Sequence, residues 1–212
     1  MHKGFLALGG VGAAGATATG VALNKDKIFG SKETYSISQL LNKEHLILIS
    51  SDENDAWTKK WDEYKATNAN AWNIPEWKSA TEPATIPNSF KQKCSDISGK
   101  KVTGTEDPTY QEVVKYCSRD KSMVDRFKEE GLELLSKENK DTEWNNRFDQ
   151  YKLATNNLKI VGIDIQSTET KETQSSLNKI KDGCHTAASK PVKDSSYSYE
   201  TIKKWCSIAK GS

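Results

Sequence analysis

Histidine, cysteine and proline are scarce in this 212-residue sequence, with three, four and five copies, and neither sign of charge dominates. Each shortage excludes something. The histidines are His2, His45 and His185, and none belongs to an H-E-x-x-H pair; G-x-S-x-G and G-x-x-x-x-G-K-[ST] do not occur either. No two cysteines stand as C-x2-C, the close ligand spacing of a structural zinc site. The sequence therefore predicts no enzyme, no metal and no cofactor. With 31 basic and 29 acidic residues the net charge is +2, too little for the electrostatic footprint of a nucleic-acid binder. Long apolar runs are missing apart from one near the N-terminus, so a polytopic membrane protein is excluded. What is plentiful is aromatic: six Trp, seven Tyr and five Phe supply core material that a disordered chain lacks.

The one apolar run, residues 4–23, carries no charged side chain and is flanked by Lys3 and by Lys25, Asp26 and Lys27. Its 20 residues match the thickness of a hydrocarbon core at ~1.5 Å rise per residue. Six Gly and six Ala make it a weakly apolar span, although Gly12, Ala16 and Gly20 recur at the spacing that lets membrane helices pack closely. Ala-x-Ala sites such as Ala14 to Ala16 leave signal cleavage open, which would release a soluble secreted protein. No cysteine lies nearby to take a lipid. Gly10, Gly12 and Gly15 also match the G-x-G-x-x-G dinucleotide fingerprint. That motif needs a following helix and a second buried strand, whereas Asn24-Lys25-Asp26-Lys27 follows here. The expectation is a membrane segment within residues 1–30, with nucleotide binding as the minor alternative.

After residue 30 the chain repeats itself. Trp57, Trp61 and Tyr64 recur as Trp144, Phe148 and Tyr151, displaced by 87. Leu46–Ser50 matches Leu132–Ser136, Cys94 matches Cys184, and Tyr116-Cys117-Ser118 matches Trp205-Cys206-Ser207, in the same order with small drift. Two tandem, duplicated units follow, residues 31–118 and 119–212. Within each the period is helical: both aromatic triplets sit at i, i+4 and i+7, a buried stripe between charged positions. Further helical faces carry Ile37, Leu40 and Leu41 (mirrored by Met123, Arg126 and Phe127), Phe90, Cys94 and Ile97, and Tyr110, Val113 and Cys117. Ser50 with Glu53 fits a capping box. His45 aligns with Gly131 and reads as a helix-end residue. Ile160–Ile165 alternates, which is compatible with an extended segment and leaves room for a minor β element. Trp72 and Trp77 lie in a proline-bearing connector without aromatic counterparts, which makes them candidates for exposed contact. Asp52-Glu53 and Glu129-Glu130 read as solvated surface.

Four cysteines allow three pairings, and the duplication singles out Cys94 with Cys117 and Cys184 with Cys206. Each bridge would join the third helix of a unit to its fourth. Each is worth about 3 kcal/mol in the chain-entropy model, a large share for a small domain. Such bridges persist in an oxidising exterior. The adjacent Cys184 and His185 are no thiol–imidazole device, because Ser95 stands where the first unit would need the histidine.

The Met-x-Lys start, the Gly/Ala-rich span ending near residue 23, the W-x3-W-x2-Y-K unit and the terminal Tyr-Cys-Ser and Trp-Cys-Ser blocks resemble the large paralogous families of haemotropic mycoplasmas. The resemblance covers essentially the whole chain. It implies a single-pass surface protein at the cell membrane, with its C-terminal part outside, serving antigenic variation or contact with a host protein or host-cell surface. It carries over no functional residues.

Overall fold

In the computed structural model, residues 33–67, 69–78, 85–153 and 155–211 are described. The expected anchor in residues 1–30, and with it Gly10, Gly12 and Gly15, lies outside them. Among the described residues no helix is long and apolar enough to cross a membrane.

The described chain is mainly helical, with two disulfides. Its first half runs β1 (Tyr35–Ser36), α1 (Ile37–Lys43), β2 (Leu46–Leu48), α2 (Asn54–Lys65), a 3-10 turn at Pro75–Lys78, α3 (Asn88–Ser98), β3 (Lys101–Val102), α4 (Pro108–Cys117) and β4 (Ser118–Asp120). The second half runs α5 (Met123–Glu129), β5 (Leu132–Leu134), α6 (Asp141–Tyr151), α7 (Gln174–Ala188), α8 (Tyr199–Cys206) and β6 (Ser207–Ala209).

Sequence blocks that match occupy matching elements. α1 and α5 both open on a capping box, Ser36 with Gln39 and Ser122 with Asp125, and both end in a left-handed residue, His45 (φ 55°) and Gly131 (φ 71°). That conformation turns the chain sharply into β2 and β5 and suits glycine better than histidine. β2 pairs antiparallel with β4 (Leu46 with Asp120, Leu48 with Ser118), as β5 does with β6 (Leu132 with Ala209, Leu134 with Ser207). Each half thus closes by pairing the strand after its first helix with the strand after its last.

Two hydrophobic clusters result, one per half. Trp57, Trp61 and Tyr64 point into the first with Phe90 and Cys94; Trp144, Phe148 and Tyr151 point into the second with Ile180 and Cys184. Both leading indoles reach past the helix start, Trp57 Nε1 donating to Ser50 O at 2.8 Å and Trp144 Nε1 to Ser136 O at 2.7 Å. Both tyrosines end their helix with a hydroxyl that pins the connector, Tyr64 accepting from Trp72 N and Tyr151 from Ile160 N, each at 2.8 Å.

Three local expectations are corrected. The β structure lies at β1–β6, not at Ile160–Ile165, which runs through turns and buries Ile160, Ile163 and Ile165. Alternation there reflects burial in an irregular segment, which period-2 patterning cannot distinguish from a strand. Ser50 does not cap α2, because its hydroxyl donates to Asp52 and Glu53 rather than accepting from the helix. Arg126 leaves the core stripe of α5 and stacks its guanidinium 3.7 Å over the Tyr199 ring.

Candidate functional site

The cysteines form two bridges, Cys94–Cys117 and Cys184–Cys206, with Cα atoms 5.5 and 5.3 Å apart. No cysteine is free. The first joins α3 to α4 and the second α7 to α8, so each ties together the helices on which the aromatic stripes rest.

Trp72 and Trp77 are half-buried rather than exposed contacts. Trp72 packs against Tyr64, Phe90 and Tyr116 at ring-centroid distances of 5.2, 5.4 and 5.2 Å, and its Nε1 donates to Glu112. Trp77 packs on the same cluster. The physical reason is volume. At the position of Tyr116 the second half carries the larger Trp205, whose ring meets Tyr151 at 5.1 Å and whose Nε1 donates to Leu158 O at 2.6 Å. The first half has the smaller Tyr116 there and recruits a connector indole instead.

No family model, curated protein or solved structure matches the chain.

Two recesses stand out. The first, about 270 Å³, is floored by the Cys94–Cys117 bridge and walled by Leu48, Ile49 and Trp57, with Lys91 and Ser95 from α3 at its edge. Its floor is apolar, and its one charge is the Lys91 ammonium. That ammonium lies 5.6 Å from the Trp57 ring centroid and within 3.5 Å of Ser51 O.

The second recess, about 390 Å³, lies where the halves meet, around Ile47, Glu53, Arg119, Asp125 and Lys128. Arg119 grips Asp125 through two bonds, Nη1 to Oδ2 at 2.6 Å and Nη2 to Oδ1 at 3.1 Å, and donates Nε to Glu53 at 2.7 Å. Burial alone would raise the Asp125 pKa, but the Arg119 bonds and those from the Ser122 amide and hydroxyl win and hold it at about 2. Glu53 is lowered on the same balance, burial opposing Arg119 and Ser50. Two residues along, the buried Lys121 ammonium bonds Asn42 of α1 and Glu129 of α5. Arg119 and Lys121 thus stitch the halves together from one side of the connecting strand.

Of the acidic pairs read as solvated surface, Asp52, Glu129 and Glu130 are exposed, and Glu53 is the one drawn half-buried into the junction by Arg119. Glu53 and Glu129 are junction partners, and Glu130 pairs with Arg126 and Lys203. Repeat matching could not find the junction, because it is asymmetric: Ile208 stands at the Arg119 position and Lys140 at the Glu53 position. Its only signal was a cation at every second residue, Arg119 and Lys121. Among the described residues, no group of three or more His, Cys, Asp or Glu is placed to hold a metal ion.

Proposed function

We propose that the chain is a single-pass surface protein, anchored by residues 4–23, whose external part is a non-catalytic scaffold for display or for contact with a host protein or cell surface. One observation carries this reading: all four cysteines are paired, in two bridges at matching positions of the halves. Disulfides of that kind survive outside the reducing cytosol, and each stiffens a helical unit with only a modest core. The mixed-charge helix faces suit a displayed surface, because exposed positions tolerate exchange while the stripes and bridges hold the fold. The paralogous surface families named above point the same way.

Protease shaving of intact cells, followed by thiol titration of the native protein, tests the proposal. The expected result is loss of the external part from intact cells and no titratable thiol before reduction. A protein protected inside the cell, with four free thiols, refutes it. The Ala-x-Ala sites favour one variant, a secreted form, which intact-mass measurement would reveal as a chain shorter by about two dozen residues.

A further inference from the structure

The two halves differ at one place in a way that points to a ligand. In the second half the space over the Cys184–Cys206 bridge is occupied by the protein itself. His185, half-buried on α7, donates Nε2–H to Leu135 O at 3.0 Å; a carbonyl only accepts, so that nitrogen carries the proton. Beside it the buried Lys181 ammonium bonds Lys137 O and the Asp141 carboxylate, both at 3.1 Å.

In the first half Lys91 stands for Lys181 and Ile49 for Leu135, but Ser95 replaces His185 and Asn54 replaces Asp141. The ring and the carboxylate are both missing. The recess of about 270 Å³ is lined by Ser95, Ile49 and Lys91, the residues that stand for His185, Leu135 and Lys181. Its walls register the loss: Ile49 is 6% exposed against 0% for Leu135, and Trp57 5% against 0% for Trp144. Lys91 has no carboxylate partner among the described residues.

We infer that the recess over Cys94–Cys117 binds a small heteroaromatic carboxylate. Its ring takes the place that His185 fills in the other half, its ring N–H donates to Ile49 O, and its carboxylate pairs with Lys91. The volume falls just under the ~300–1,000 Å³ of drug-sized ligand sites, which limits the ligand to one or two rings. An apolar floor with few, convergent polar groups is the usual build of such a site. Neither the leader nor the compartment enters this inference beyond the formed bridge, so it stands or falls separately from the surface assignment.

The probe is imidazole-4-acetate, titrated into the full oxidised chain while the Trp57 indole and Ser95 amide resonances are followed by NMR. Saturable shifts are expected below about 10 mM, a range suited to so small a ligand. Ser95→His, which restores the second half's own ring, should abolish them. Lys91→Gln should weaken binding of imidazole-4-acetate about tenfold and leave plain imidazole unchanged, the size expected for one charge-assisted bond. Acetate binding as tightly as the probe would reduce the site to a surface ammonium and overturn the inference, as would shifts that survive Ser95→His or fail to saturate. His185→Ser provides the converse test if Ser95→His does not fold: because Asp141 already pairs with Lys181, it should open a second site for plain imidazole, reporting at Trp144, and its failure to do so counts against the inference.

Discussion

Replacing Arg119 by Met keeps most of the side chain's bulk and removes every bond it makes. The Asp125 side chain is only 7% exposed and would be left in the junction with only its own capping bonds to Ser122. In the intact protein its pKa stands at about 2 against an ordinary 3.8. At 1.36 kcal/mol per unit that difference corresponds to about 2 kcal/mol of folding free energy at neutral pH. Arg119 supplies part of it, and stranding a buried carboxylate adds a desolvation cost, so a loss of about 2–3 kcal/mol at pH 7 is expected for Arg119→Met. The pH dependence separates charge from packing. Because the folded pKa lies below the unfolded one, the stabilisation is complete above about pH 4 and disappears as pH falls towards 2. The gap between the native protein and Arg119→Met should therefore be full at pH 7 and shrink between pH 5 and 2. Urea unfolding followed by tryptophan fluorescence at four or five pH values measures it. A gap below about 0.5 kcal/mol at pH 7, or one that does not change with pH, would refute the junction as an electrostatic clasp. Combining Arg119→Met with Asp125→Asn should recover part of the loss, since the two act on one bond pair.

Three further outcomes follow from single contacts. A Cβ on Gly183 would come within 2.3 Å of the Ile163 side chain, so Gly183→Ala should destabilise by about 1–3 kcal/mol in thermal unfolding, against alanine's higher helix propensity. Tyr64→Phe removes the hydroxyl that accepts from Trp72 N and donates to Asn70 at 3.0 Å; a loss of about 1–3 kcal/mol and faster amide exchange at Trp72 are expected. His45→Gly, at φ 55°, should stabilise by about 1 kcal/mol in chemical unfolding, and a neutral or negative result would show that the imidazole contributes something its backbone conformation hides.

The parts of this protein that repeat are legible in its sequence. Helical spacing in Trp57-Trp61-Tyr64 and Trp144-Phe148-Tyr151 comes from a local period of 3.6, and the pairing Cys94–Cys117 with Cys184–Cys206 from the duplication, because it is the one choice of three that puts the same bridge inside each repeat. The alignment of His45 with Gly131 likewise marked a helix end, because a left-handed residue is a backbone requirement that shows in residue type. Where local pattern was ambiguous the reading failed: alternation at Ile160–Ile165 looked extended, and Trp72 looked exposed because nothing nearby in sequence shows that Tyr116 leaves a gap.

Amino-acid order by itself settled the helical class, the two-fold repeat, the buried stripes and which sulfurs meet, all of them consequences of short-range geometry or internal matching. Folding in three dimensions decided the rest. Arg119 lies 66 positions from Glu53 and clasps it all the same, since the connecting strand must pair with β2 and so carries its cations across the seam. The open recess over Cys94–Cys117 is likewise a property of packing: one serine in place of a histidine means nothing along the chain, and becomes a cavity only where a disulfide, an indole and a lysine enclose the missing ring.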